Sequence, residues 1–393
     1  DAYNVAVGYE AGLAMSTGTN NILMGGFAGD ALTTGTNNVA MGYGALSTED
    51  AHGYNIAIGS YALIVQDAGV DAYNIAIGYN AGSNILTGTY NTIMGAYAGD
   101  ALTTGSRNIA IGYQTLSAED THGRNVAIGQ DAGADAYNVA IGYQAGISVS
   151  TGTYNVLIGG LAGDALTTGV DNVAIGHEAL STEDDHGTNT AIGYRSLKVL
   201  NAGANAYNTA VGHNTGTAMT TGQQNTIVGG DAGDALTIGN YNTALGAFAL
   251  GTSVDGDYNT AIGYKALQDY EDGDGLGYNT AIGSNSQLNA TTGEYNTSVG
   301  SSSLGSGIVT GDHNVAIGKS AGYAVTSGAR NVLIGGVAGD SLTTGGNNIA
   351  IGYESLSAED ADGYNIAIGT NTLAVQNAGA DAYNIAIGTN AGL

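Results

Sequence analysis

Short apolar segments bounded by Asn and Gly recur along the whole chain of 393 residues. The pentad Asn–(Val/Ile/Thr)–x–(Val/Ile/Leu/Met)–Gly occurs 23 times, first at Asn4 and last at Asn384. The usual spacing between pentads is 17 residues, with extremes of 13 and 20. Each apolar segment is too short for a helix but has the length of a β-strand. With the polar turns between them, the segments predict one coil of a β-solenoid per unit, each with two short strands and two turns.

The repeat predicts an all-β fold, a parallel β-solenoid or β-roll of 23 coils of about 17 residues, stacked at a strand spacing of about 4.8 Å. We expect residues 1–393 to form one continuous solenoid, and the phase at its two ends suggests a segment of a longer array. A longer period groups the coils into four-coil blocks at 1–70, 71–134, 135–204, 205–275 and 311–380, a two-coil insert at 276–310 and a partial block at 381–393.

Apolar residues occupy nearly every inner position of the pentad. The fourth position is Val, Ile, Leu or Met in all 23 units, and the second is Val, Ile or Thr. Because strand side chains alternate, these two positions share a face, which we assign to the interior. The third position then points outward, although it is apolar in 22 of 23 units. An exposed stripe of this kind favours association, so we predict a homo-oligomer interface along it, at Leu23, Ala40, Ala57, Ile93, Leu157, Ile227 and Leu333.

Composition excludes several functional classes. The chain has 67 Gly, no Pro and no Cys, so a disulfide framework, a thiolate zinc site and a catalytic thiol are excluded. Its 34 acids and 7 bases give a net charge of -27, which disfavours nucleic acids and anionic membranes as partners. No apolar run reaches the roughly 18 residues of a membrane span. No pair of acids is singled out as in a hydrolase, so we expect neither an enzyme nor a cofactor.

Acidic turns end the third coil of several blocks. Carboxylates grouped with His are ligands for divalent cations. Calcium-binding solenoids carry ligands on every coil, however, whereas these turns recur once in about four coils. We therefore favour solvated turns without a bound metal, and keep a cation site as the alternative. The candidate ligands are Glu49, Asp50, Glu119, Asp120, Glu183, Asp184, Glu359 and Asp360.

Tyrosine is concentrated at two positions of the unit. Of 25 Tyr, 13 directly precede the pentad Asn and eight directly follow its Gly. In stacked coils these positions predict ladders of rings with outward hydroxyl groups, which would stiffen the solenoid. Exposed aromatic rings also stack on sugars, so a glycan-binding surface is the alternative.

Two strings carry a resemblance to known proteins. Asn-Val-Ala-Ile-Gly at 138–142 and 314–318, and Thr-Gly-Thr-Asn-Asn-Val-Ala-Met-Gly-Tyr at 34–43, resemble the head repeats of trimeric autotransporter adhesins. They are even more similar to the repeat arrays of phage and bacterial tail-fibre proteins. The resemblance covers all 23 units. It implies a homotrimer of parallel β-rolls packed around a shared axis.

The resemblance also implies a function. We expect the structural shaft of a phage tail fibre, located on the virion, that holds a receptor-binding tip for host attachment. Its partners would be other fibre or baseplate proteins, and host surface glycans. The alternative is an extracellular bacterial trimeric adhesin that binds host or glycan surfaces. A calcium- or ice-binding solenoid belongs to another class, and we expect such a protein to be monomeric.

Overall fold

The computed structural model describes residues 3–117, 121–133, 137–270, 276–377, 379 and 381–393. The chain divides into two compact units, Asp1–Thr188 and Asn189–Leu393. In both units each pentad forms one strand at its second to fourth positions, and strands that follow one another within a unit pair in parallel. The expected all-β parallel solenoid with coils of about 17 residues is thereby confirmed.

The strands of the first unit are β1 (Val5–Val7), β2 (Ile22–Met24), β3 (Val39–Met41), β4 (Ile56–Ile58), β5 (Ile75–Ile77), β6 (Thr92–Met94), β7 (Ile109–Ile111), β8 (Val126–Ile128), β9 (Val139–Ile141), β10 (Val156–Ile158) and β11 (Val173–Ile175). Those of the second unit are β12 (Thr190–Ile192), β13 (Thr209–Val211), β14 (Thr226–Val228), β15 (Thr243–Leu245), β16 (Thr260–Ile262), β17 (Thr280–Ile282), β18 (Thr297–Val299), β19 (Val315–Ile317), β20 (Val332–Ile334), β21 (Ile349–Ile351), β22 (Ile366–Ile368) and β23 (Ile385–Ile387).

Pairing keeps the pentad in register, because each strand position lies beside the same position of the neighbouring coil. Leu157, for example, pairs with Ala140 on one side and Ala174 on the other. A variable number of residues between pentads therefore does not shift the strands. The extra residues lie in the turns.

The prediction of a second strand in each coil is wrong, since the described part of each coil has one named strand. The segment after the pentad Gly is a run of turns in which alternate residues have positive φ, as at Gly59 (φ 135), Tyr61 (φ 62) and Leu63 (φ 50). Its amides still bond to adjacent coils, since Tyr61 N donates to Tyr43 O at 2.8 Å and Leu63 N to Ala81 O at 3.1 Å. Stacking of the coils thus satisfies the backbone without a second sheet.

The third pentad position lies inside the coil, so its predicted outward orientation is wrong. The middle residue of every strand from β2 to β22 is buried, while its two neighbours are partly or largely exposed. A side chain without exposed surface cannot form a contact with another chain. The seven residues proposed as an oligomer interface are instead core residues of their own chain: Leu23, Ala40, Ala57, Ile93, Leu157, Ile227 and Leu333.

Complementary volumes explain this orientation. A Cβ placed on Gly146 or Gly163 would lie 2.6 or 2.8 Å from a methyl carbon of Leu157, so both glycines give this side chain its space. In several coils with a small third position, such as Ala40, the residue six positions later is a buried leucine, here Leu46. The interior of a narrow coil holds a nearly constant volume, and the small third position leaves room for leucine from the opposite side.

A buried ladder of Asn side chains joins the coils. Asn155 N donates to Asn138 Oδ1 at 2.7 Å, and the Asn155 amide group donates to Gly169 O at 2.9 Å. The same pair of bonds recurs at Asn225 and Asn331. The ladder agrees with the sequence pattern, but the left-handed conformation belongs to the residue before the Asn, such as Tyr154 (φ 61).

Candidate functional site

The Glu of the acidic turn is a core residue rather than a solvated one. Glu49 is fully buried, its Oε1 accepts a bond from His52 N at 3.0 Å, and the His52 ring nitrogen Nδ1 lies 3.3 Å from the same oxygen. Glu183 accepts from His186 N at 3.2 Å, and Glu359 from Asp362 N at 3.1 Å. Each Glu therefore caps its own turn from inside. The expectation of a solvated turn is wrong for these carboxylates, and Glu119 and Asp120 lie outside the described residues.

Burial determines the electrostatics of these carboxyl groups. Loss of hydration raises the pKa of Glu49, the bonds from His52 oppose that change, and the negative charge of Asp67 adds to it. Burial likewise raises the pKa of Glu359. The two turns differ in their second oxygen. Glu359 Oε2 lies 3.4 Å from the amide nitrogen of Gln376, whereas Glu49 Oε2 is buried and has no hydrogen-bond partner.

Two of the turns bring possible metal ligands together. Oxygen and nitrogen atoms of Glu49, Asp50, His52 and Asp67 lie within 4.8 Å of one another. Glu183, Asp184 and His186 form a smaller group of the same kind. Within the first group Glu49 is buried, His52 is partly exposed, and Asp50 and Asp67 are exposed. We call these four residues the acidic cup. The sequence identifies it only in part, because Asp67 belongs to the following coil.

The exposed face of the sheet consists of the second and fourth pentad positions. In β4, Ile56 and Ile58 are both partly exposed on either side of the buried Ala57. No pentad carries a charged residue at its second, third or fourth position. We call these two lines of side chains the outer face. The sequence contains one signal that the third position faces inward and the second and fourth face outward. Each bulky third-position residue is followed six positions later by Gly, as Leu157 is by Gly163 and Leu333 by Gly339.

Aromatic rings form two kinds of column on the surface. The residues before the pentad Asn stack nearly parallel, and we call them the stacked column. Tyr241 and Tyr258 in this column lie 4.7 Å apart with an interplanar angle of 4°. Rings one or two positions after the pentad Gly, alternating from coil to coil, make edge-to-face contacts at 5.3 to 6.2 Å. The members of this edge-to-face column are Tyr9, Phe27, Tyr43, Tyr61, Tyr79, Tyr97 and Tyr113. The ring ladder expected before the pentad Asn is therefore present, whereas the ladder expected directly after the Gly is replaced by a column in which two neighbouring positions alternate.

A shallow cavity of about 350 Å³ interrupts the stacked column in the first unit. Its lining includes Arg107, His122, Arg124 and Tyr137. Arg124 lies over the Tyr137 ring and donates to its hydroxyl group at 2.6 Å. Two of the chain's seven bases thus meet beside an aromatic ring, an arrangement suited to an acidic group attached to a planar or sugar-like body.

No protein-family model and no curated protein matches this chain. Among the residues that the structure describes, none belongs to a helix long and apolar enough to cross a bilayer.

Proposed function

We propose that the chain is the structural shaft of a homotrimeric fibre, a phage tail fibre on the virion that holds a receptor-binding tip for host attachment. Other fibre or baseplate proteins would bind at its ends. The observation that carries the proposal is the outer face, which is uncharged, mainly apolar with Thr at eight second positions, partly exposed, and repeated in coil after coil. A non-catalytic, mechanical role agrees with a chain whose polar chemistry is mainly used to join neighbouring coils.

Charge supports the outer face as the contact between chains. Three copies of a chain with a charge of -27 repel one another, so stable association requires contact where charges are absent. The outer face has no charged residue at any of its positions. A standard interface takes about 800 Å² from each partner, and a partly exposed face that is repeated in many coils can supply such an area.

The occupant of this face that fits best is a second copy of the same chain. Only a partner with the same coil spacing can keep side chains in register along many coils. The number of three chains comes from the resemblance to trimeric fibres.

Light scattering on the purified chain tests this proposal. We expect a mass of three chains. Four Glu substitutions on the outer face should reduce it to one chain while the circular dichroism spectrum is retained, because each trimer would otherwise bury twelve carboxylates. Four Glu substitutions at exposed turn residues of the same region are the control and should leave the trimer intact. The outer-face set is Ile128, Ile141, Ile158 and Ile175, and the control set is Tyr113, Tyr137, Tyr143 and Tyr154. A monomeric unmodified chain, or a trimeric outer-face variant, would refute the proposal.

The surface aromatic columns favour a second candidate, an extracellular bacterial adhesin that binds glycans. Its best-defined feature is the cavity at Arg107, Arg124 and Tyr137, which suits the carboxylate or sulfate group of an acidic sugar. On an array of acidic and neutral glycans, we expect binding of acidic glycans that Arg124→Ala abolishes. An array without any binding would exclude this candidate and leave the shaft proposal unaffected.

A further inference from the structure

Glu49 occupies a position that neighbouring coils give to uncharged residues. Nine positions after the buried middle residue of the strand, the preceding coil has Leu32 and the following coil has Gln66, both fully buried. A carboxylate placed in this column loses its hydration, which is costly unless a partner compensates for it. Since Oε1 is bonded to His52 while Oε2 has no hydrogen-bond partner, half of the carboxylate lacks that compensation.

A comparison with Glu359 shows how the unbonded Glu49 Oε2 could have been satisfied within the chain. Glu359 stands at the same place of a later block, and Gln376 in the next coil reaches its second oxygen at 3.4 Å. The corresponding Gln66 bonds to Asn55 and Asn74, much as Gln376 also bonds to Asn365. Unlike Gln376, however, it does not donate to the second oxygen of its Glu, so Glu49 Oε2 stays without a partner. What lies near the carboxylate instead is Asp67, a second negative charge.

No fixed positive charge lies near this group. Residues 1–106 contain eight acids and no Lys or Arg, and the first base, Arg107, lies over the Tyr90 ring. In a solenoid a residue contacts only its own and adjacent coils, so no distant base can reach the cup. His52 alone can offset three carboxylates, and only partly.

We propose that Glu49, Asp50, His52 and Asp67 bind a divalent transition-metal cation, with Zn²⁺ as the representative ion. Three carboxylates and one imidazole within 4.8 Å of one another match the mixed oxygen and nitrogen donors that such ions accept. Glu49 supplies the buried base of the site, and the other three residues form a rim open to solvent, so that the ion can enter. The inference does not depend on the proposed fibre function.

The bound ion would connect two coils. Glu49, Asp50 and His52 precede the strand β4, whereas Asp67 follows it and lies one coil further on. Binding to the folded chain alone stabilises that chain by mass action, so the ion acts as a clip between consecutive coils. The smaller group at Glu183, which lacks the fourth ligand, should bind at least tenfold more weakly.

Zn²⁺ titration of the chelator-treated full chain by calorimetry tests the site. We expect one tight site per chain, and a higher melting temperature at saturating Zn²⁺. Glu49→Gln, His52→Ala and Asp67→Asn should each weaken that site at least tenfold. The first of these variants places at position 49 the residue that Gln66 and Gln376 already supply at equivalent positions, so it is expected to fold.

The matched control is Glu359→Gln, which removes the equivalent buried carboxylate from a turn that has Asp362 in place of His52 and Asn377 in place of Asp67, and should leave Zn²⁺ binding unchanged. Replacement of Zn²⁺ by Co²⁺ should give a visible absorption spectrum that changes on His52→Ala. The absence of saturable binding, equal binding by Asp67→Asn and the unmodified chain, or Ca²⁺ binding that equals Zn²⁺ binding and ignores His52→Ala would each overturn the proposal.

Discussion

The fit between Leu157 and Gly163 permits a quantitative test of which side of the strand is the interior. Leu157 is fully buried, and Leu157→Ala should cost about 3–5 kcal/mol, as leucine truncations in closed cores do. Gly163 has a φ of +54°, and a Cβ there would lie 2.8 Å from Leu157 Cδ2. Gly163→Ala should therefore cost about 1–2 kcal/mol for the left-handed backbone and a further ~1–3 kcal/mol for the overlap.

The two substitutions should not be additive. In the Leu157→Ala background the overlapping methyl group is gone, so Gly163→Ala should cost only its backbone contribution. The double variant should therefore be about 1–3 kcal/mol more stable than the sum of the single changes. Gly69→Ala is the matched control, since Gly69 has a similar φ of +66° and no atom within 4 Å of an added Cβ. It should cost about 1–2 kcal/mol and add to Leu157→Ala.

Urea unfolding followed by circular dichroism measures the overall stability, and hydrogen exchange at Val156–Ile158 reports the opening of this coil. The local measurement matters because long repeat arrays need not unfold in a single step. Additivity of Leu157→Ala and Gly163→Ala within about 0.5 kcal/mol would contradict the packing described here. A cost below about 1 kcal/mol for Leu157→Ala would place that side chain outside the core.

Three further outcomes follow from the described contacts. Asn155→Ala removes the side-chain donor to the buried Gly169 carbonyl group and the acceptor of the Asn172 amide group, and should lower the free energy of unfolding in urea by about 2–5 kcal/mol. An unchanged free energy of unfolding would show that the Asn ladder does not stabilise the fold. Burial raises the pKa of Asp340, so the stability contribution of this carboxyl group is present below the unfolded value of 3.8 and is lost as the pH rises through the folded pKa. Asp340→Asn should therefore raise the melting temperature at pH 7 and leave it unchanged at pH 3. A shift of equal size at both pH values would contradict this reasoning. Tyr258 stacks between Tyr241 and Tyr278, and Tyr258→Ala should lower the free energy of unfolding by about 1–2 kcal/mol. An unchanged free energy of unfolding would show that the stacked rings do not stabilise the chain.

Much of the fold follows from the sequence because the information is local and repeated. An Asn and a Gly bounding three β-compatible residues define where each strand begins and ends, and pairing in register stacks identical positions although the spacing varies. The Asn ladder and the stacked column follow from that stacking alone, since any residue repeated at one position meets its copy in the next coil. The edge-to-face column, which joins two different positions of the unit, does not. Tyr258 and Tyr278 could be paired in this way although they are 20 positions apart.

The orientation of the strand was decided by packing across the coil. In Val156–Leu157–Ile158 all three positions are apolar, so alternation gives no contrast between inside and outside. The larger residues at the second and fourth positions favoured the wrong face. The deciding factor is the space left by residues on the opposite side of the coil, where Gly146 and Gly163 admit Leu157.

The acidic cup was likewise predicted in part from the sequence and completed only by the tertiary structure. The sequence identified Glu49, Asp50 and His52 as neighbours, because they are close along the chain. It gave no indication that Glu49 is buried, or that Asp67 lies beside it. Composition and periodicity determined the solenoid, its strands and its ladders. The tertiary structure alone decided which side chains face inward and which charges meet, because both depend on volumes and distances between segments that are separated along the chain.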